Sequence, residues 1–325
     1  SLGNRQWDKL YTAHGPPLFA WIKAIQPAPN GSGYFLLGTT GNLVVGDVLL
    51  IKIDTAGNEL WHKRYDLSVG LDEFIGEQGS TILPTSDGGL VITAYYRDPD
   101  PFTGCCPPFN VGRKGVFIKT DSVGNVIWDT IRMTIDDDSD EIISFVPEPN
   151  LVETTDGNYV AAGHRIPLAG QLDGELVKVS KAGKVLWRRT YDIDGFDDYI
   201  YDMIPSVDGG FVMCGRSETV LPPWGLIARM LFIKANCMGL LTQPQAAFTH
   251  YPIDNHAIQF INQTQYAYPD SIDGGYYIWD FGDGAPPYLC GQGYEPCAPV
   301  LTHQYALPGA YTATLTAIVC TDTSV

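Results

Sequence analysis

Val116-Phe117-Ile118-Lys119-Thr120-Asp121-Ser122-Val123-Gly124-Asn125-Val126-Ile127-Trp128 decides the fold, because the same pattern returns with the same internal spacing. Leu49-Leu50-Ile51-Lys52-Ile53-Asp54-Thr55-Ala56-Gly57-Asn58-Glu59-Leu60-Trp61 matches it position for position. Residues 175–187 match with Ser180 in place of the Asp, and a worn copy runs from Leu231 to Gly239 with Asn236 there. An apolar strand, a turn with Asp, Ser or Asn first and Gly last, then a strand ending in Trp is the pattern of a β-hairpin. Asp121, Ser180 and Asn236 all cap turns and do not replace one another in catalysis, so this position closes a hairpin. Trp128 recurs as Trp7, Trp61 and Trp187 and is read as a packing anchor between repeats.

A second turn precedes each copy: Asp87-Gly88-Gly89, Asp156-Gly157-Asn158, Asp208-Gly209-Gly210 and the looser Asn30-Gly31-Ser32-Gly33. Asp/Asn-Gly pairs supply the positive φ of tight hairpins. With a further apolar strand upstream, such as residues 199–204, each repeat has four strands. Trp7, Trp61, Trp128 and Trp187 lie 54, 67 and 59 residues apart, and four-stranded units of this length read as propeller blades. Gln6-Trp7-Asp8-Lys9-Leu10-Tyr11 has only the tail of a repeat, while the last copy lacks its Trp strand. The N-terminal strand is therefore expected to pair near Phe232 and close the ring, which removes exposed edges.

These motifs resemble the bacterial secreted repeat that reads as acidic pair, apolar strand, T-S-D-G-G-Y, apolar strand, L-V-K-L-D-x-x-G-N-x-x-W, found in extracellular β-propeller proteins. From about residue 244 the periodicity changes. Tyr277-Ile278-Trp279-Asp280-Phe281-Gly282-Asp283-Gly284, followed by His303-Gln304-Tyr305-Ala306-Leu307-Pro308-Gly309-Ala310-Tyr311, is similar to the polycystic kidney disease (PKD) domain, an immunoglobulin-like β-sandwich. The expectation is an all-β chain: a propeller of about four blades over residues 1–243 and a PKD domain over residues 244–325, with Phe248 and residues 258–260 on its earlier strands. A last strand is expected beyond Val325, and the numbering is expected to start after processing.

Lys and Arg number 20 against 37 Asp and Glu, a net charge of −17, and the absence of a basic run argues against nucleic acid as partner. No segment approaches the roughly 18 apolar residues of a membrane span. Seven Cys without a C-x-x-C metal motif point to an oxidising setting, hence secretion or the cell surface. Cys290 and Cys297 flank a Gly/Pro-rich loop and read as a disulfide. The pairing of Cys105, Cys106, Cys214, Cys237 and Cys320 stays open, with Cys214 to Cys237 attractive on neighbouring strands.

The acidic clusters are the metal candidates. Asp192, Asp194, Asp197 and Asp198 around Gly195 offer hard oxygen ligands for Ca2+; the plainer reading is that they cap and solvate loops, as do Asp72-Glu73 and residues 136–141. The insert at residues 97–114 carries Cys105-Cys106, read as a loop staple. A partial resemblance to quinone-dependent propeller dehydrogenases would make that pair a vicinal disulfide. Tyr95, Tyr96, Phe102, Phe109 and Trp224 are candidate sugar or protein contacts, against the reading that such aromatics fill the core. The six His show no H-E-x-x-H spacing, and no nucleophile or phosphate motif occurs. The expected function is a non-catalytic surface protein for adhesion or for glycan or protein binding, with the PKD domain as spacer. The alternatives are a polysaccharide-active enzyme using face carboxylates and a subunit of a surface assembly or filament.

Overall fold

A computed structural model describes residues 7–11, 20–41, 46–67, 77–97, 113–129, 144–166, 171–254, 256–268 and 275–325. Among these the chain is all-β. The first half holds three consecutive four-stranded antiparallel sheets. The first is β1 (Ala20–Pro27), β2 (Tyr34–Thr40), β3 (Val48–Ile53) and β4 (Glu59–Tyr65); the second is β5 (Glu77–Pro84), β6 (Leu90–Arg97), β7 (Arg113–Thr120) and β8 (Val126–Asp129). The third is β9 (Ser144–Glu153), β10 (Tyr159–Ile166), β11 (Asp173–Val179) and β12 (Val185–Tyr191). A three-stranded sheet follows, with β13 (Asp198–Pro205), β14 (Phe211–Leu221) and β15 (Gly225–Ala235). The chain groups into two compact units, residues 1–204 with 213–232, and residues 205–212 with 233–325.

Each sheet is a meander because its hairpins close locally. In the quoted motif, Asp54 Oδ1 accepts from the N–H of Ala56 and Asn58 at 2.8 Å, and Asp121 Oδ1 accepts from Val123 and Asn125 at 3.0 and 2.8 Å. Ser180 Oγ accepts from Lys184 N–H at 2.9 Å, and Asn236 Oδ1 from Met238 and Leu240 at 3.0 Å. The Asp-Gly turns have the same form. Gly88, Gly157 and Gly209 take positive φ while their Asp neighbours do not, so these are four-residue turns rather than two-residue ones; only Asn30-Gly31 has both residues at positive φ. The middle strands are apolar on both faces. β3 is buried throughout, as strands covered on both sides are.

Consecutive sheets interlock through the recurrent Trp. Gly124, at φ +81°, has no room for a Cβ, which would lie 2.8 Å from Lys63 Cγ and 3.1 Å from the Trp61 ring. Lys63 Nζ donates to Asn125 Oδ1 at 3.0 Å, and Tyr65 OH to Gly124 O at 3.0 Å. Residues 7–11 do the same to the first sheet: Trp7 and Lys9 close over Gly57, Lys9 Nζ reaches Asn58 Oδ1 at 3.3 Å, and Tyr11 OH donates to Gly57 O at 2.9 Å. This corrects the expected pairing with β15. Residues 7–11 form no strand, and the sheet of β15 has three strands, because here the segment spends its Trp, Lys and Tyr on the turn of the first sheet.

The second unit carries two facing sheets. One has the order β16 (Phe248–Asp254), β17 (Ala257–Asn262), β20 (Val300–Gln304); the other is β19 (Tyr288–Gly291), β18 (Tyr276–Asp280), β21 (Thr314–Val319), β22 (Asp322–Ser324). Phe260, Tyr277, Trp279, Phe281, Tyr305 and Leu315 form the core, with Trp279 1 % exposed. Cys290 bonds Cys297, and Cys237 bonds Cys320, 83 residues away. Cys214 is a free, exposed thiol, so the attractive pairing with Cys237 does not form.

Candidate functional site

The recurrent Lys and Asp meet each other across each repeat. Lys119 Nζ donates to Asp87 Oδ1 and Thr85 Oγ1, both at 2.7 Å; Lys178 Nζ reaches Asp156 Oδ2 at 2.8 Å; Lys234 Nζ reaches Asp208 Oδ1 at 2.8 Å. In the first repeat Lys52 Nζ donates to the Ser32 carbonyl at 3.0 Å instead. The third strand of each sheet thus bolts the turn between its first two. Burial would raise the Asp156 carboxyl, but the hydrogen bonds from Lys178 and Thr154 hold it well below the usual carboxylate range. Lys52, Lys119 and Lys178 are buried and all four lysines are engaged in structure, and the recurrence of a strand Lys in every copy with a turn Asp in three of them is the signal that sequence reading left unused.

The four acidic residues of the third-to-fourth connection have separate partners. Asp192 Oδ1 accepts from Gly195 N–H at 2.7 Å, Asp194 pairs with Arg229, and Asp197 Oδ1 accepts from Leu172 N–H at 2.9 Å. Asp198 is fully buried, and its Oδ2 accepts from Ile193 N–H at 2.7 Å. A different set converges: among the described residues, oxygens of Asp47, Asp66 and Glu77 lie within 4.8 Å of one another. Arg64 pairs with Asp47.

Tyr95 and Tyr96 are 6 % exposed; Tyr95 OH donates to Gln78 Oε1, and Tyr96 packs into the core of the first two sheets. Trp224 is 75 % exposed at the β14–β15 turn. Phe102, Phe109, Cys105, Cys106 and the clusters at 72–73 and 136–141 lie outside the described residues. Among the described residues, Tyr95 and Tyr96 are therefore not brought to a surface with Trp224. In the second unit a groove of about 840 Å3 is lined by Phe248, His250, Ile253, Leu307 and Tyr311 among others. His303 is held beside it, with Nε2 2.8 Å from Asp283 and its ring stacked 4.0 Å from Phe281.

The two facing sheets of the second unit define an immunoglobulin-like β-sandwich. The family model described as "PKD domain" matches residues 242–324, and this part of the chain is a PKD domain. No curated protein matches the chain in sequence. Among solved structures, a protein of unknown function from Dyadobacter fermentans DSM 18053 is similar at 14 % identity and a TM-score of 0.27, over 84 % of this chain and 93 % of that one.

Proposed function

We propose that the chain is an exported, non-catalytic binding protein of a cell surface, in which the consecutive sheets are blades of a β-propeller that serves as interaction head and the PKD domain is its spacer. Its ligand is an extracellular glycan or protein. The observation that carries this reading is the PKD domain at residues 242–324, a module typical of extracellular proteins, together with its disulfides Cys237–Cys320 and Cys290–Cys297, which suit an oxidising compartment. The propeller reading is supported by the repeated clamp of Trp61, Lys63 and Tyr65 on the Gly124 turn, which stacks one sheet on the next in chain order. Two experiments test the proposal: protease shaving of intact source cells with antibody detection, and a glycan array and pull-down with the intact chain. A shaving-resistant intracellular pool, or turnover of a polysaccharide without retention of any surface component, would sink it.

A further inference from the structure

The contacts of Trp7, Lys9 and Tyr11 on the Gly57 turn are those of Trp61, Lys63 and Tyr65 on the Gly124 turn, bond for bond. In β4 these three side chains clamp the next sheet while the backbone pairs with β3, Trp61 opposite Lys52 and Tyr65 opposite Val48. β12 pairs in the same register, with Trp187 opposite Lys178 and Tyr191 opposite Gly174, and β8 sets Trp128 opposite Lys119. Residues 7–11 thus lie on the first sheet as the end of a preceding sheet's fourth strand would, yet they belong to no strand.

The sheet of β15 has the complementary defect. Among the described residues β15 is its outermost strand, with no fourth strand beside it. In the complete sheets the residue two before the recurrent Lys is buried: Leu50 and Leu176 are 0 % exposed and Phe117 3 %. Its counterpart Phe232 is 73 % exposed, and Met230 on the same strand 99 %. An apolar edge strand of 11 residues is a template for a further strand. We propose that residues 7–11 of a second copy add to β15 as the fourth strand of its sheet, so that the clamp runs on from one copy to the next. The register of the complete sheets sets Trp7 opposite Lys234 and Tyr11 opposite Met230. It also sets Lys9 opposite Phe232, as Lys63 stands opposite Leu50, where the methylene stem of the lysine covers the ring. A second copy is the partner because within one chain the two do not pair. Donor and acceptor are different surfaces, so the contact is head-to-tail and either closes on itself or propagates. This inference goes beyond the proposed function and does not depend on the ligand.

The test mixes two full chains, both carrying Cys214→Ser to remove the exposed thiol. One carries Leu10→Cys and the other Leu231→Cys, positions that face each other as Arg64 faces Leu49. Under mild oxidation the mixture should give a pair of chains linked between positions 10 and 231, and neither chain alone should; non-reducing electrophoresis and peptide mapping record this. Light scattering of the unsubstituted chain should give a mass that rises with concentration to at least that of a pair. Phe232→Lys should weaken this association by at least about tenfold. Because Phe232 is exposed, its variant is expected to fold, which far-UV circular dichroism checks. A single-chain mass at every concentration up to about 0.1 mM would overturn the proposal. So would a Phe232→Lys protein that associates like its parent. A link that forms only inside a chain carrying both substitutions, and not in the mixture, would also overturn it and assign the fourth strand to the same chain. A monomer that still binds a surface component would overturn this inference and leave the proposed function standing.

Discussion

Asp87→Ala is expected to destabilise the chain more than Lys119→Met, although both remove the same ion pair. Burial makes the difference: the Lys119 side chain is 3 % exposed and that of Asp87 57 %. Deleting Asp87 leaves a buried ammonium with only the Thr85 hydroxyl, 2.7 Å away. Breaking a buried pair from this side costs about 3–5 kcal/mol, and the Thr85 bond places the expected loss near the lower end, about 3 kcal/mol. Deleting Lys119 leaves a carboxylate that water reaches and that still accepts from Thr85 Oγ1 at 2.6 Å and Gly89 N–H at 3.0 Å. That loss should stay within about 1 kcal/mol, with Met filling the space of the lysine stem. The double variant should fall close to Lys119→Met, a coupling of about 3 kcal/mol. Urea unfolding of the four proteins at neutral pH, followed by far-UV circular dichroism, measures this; equal losses, or a larger one for Lys119→Met, would refute burial as the deciding effect. The pair also sets a pH dependence. Burial would raise the Asp87 carboxyl, but hydrogen bonds from Lys119, Thr85 and Gly89 bring it down from 3.8 to about 2. A folded pKa below the unfolded one means that the contribution is whole above the unfolded value and is lost as pH falls through about 2. Screening at this exposed carboxylate limits it to about 1 kcal/mol, and Lys119→Met should flatten it.

Gly124→Ala should cost about 1–2 kcal/mol more than Gly88→Ala in the same unfolding assay: both glycines have positive φ, but a Cβ at 124 meets Lys63 and Trp61 while one at 88 meets nothing within 4 Å. Replacing Cys237 and Cys320 by Ser should lower stability by about 4 kcal/mol, and replacing Cys290 and Cys297 by about 2 kcal/mol, because the bridges close loops of 83 and 7 residues; melting of the two double variants decides. Iodoacetamide should modify Cys214 without reductant, whereas Cys237, Cys290, Cys297 and Cys320 should need reduction first, as peptide mass mapping would record.

The hairpins were legible in residues 116–128 because a strand period and a Gly-closed turn are local properties. The same locality made the PKD motifs readable: Asp280 Oδ1 accepts from Gly282 N–H at 2.8 Å and Asp283 from Ala285 N–H at 3.0 Å, contacts between near neighbours in the chain. Lys119 and Asp87 were both visible, but their meeting depends on the register that sets Val91 opposite Lys119, and no local pattern states a register. Tyr95 and Tyr96 misled for a related reason. Adjacent residues of a strand point to opposite faces, and alternation loses its meaning where both faces are buried, as at these two positions. Residues 7–11 carried the right pattern for a repeat tail, yet the same Trp, Lys and Tyr serve the clamp on the Gly57 turn as well as a strand, so pattern could not choose the partner. Cys320 lies on the far side of the sandwich sequence from Cys237, beyond the reach of any spacing rule.

Comparing the repeats within one chain also separates what packing demands from what it does not. The Lys is present in all four copies, and where the turn Asp is absent, at Ser32, a backbone carbonyl takes its place for Lys52. The bolt is therefore a requirement of every sheet, and the carboxylate is one way of meeting it. The position five residues before that Lys behaves differently. At the position of Asp47 and Asp173 the second copy has Lys114 and the fourth has Arg229, and Arg229 turns to Asp194. A sheet can thus form with the opposite charge at that position.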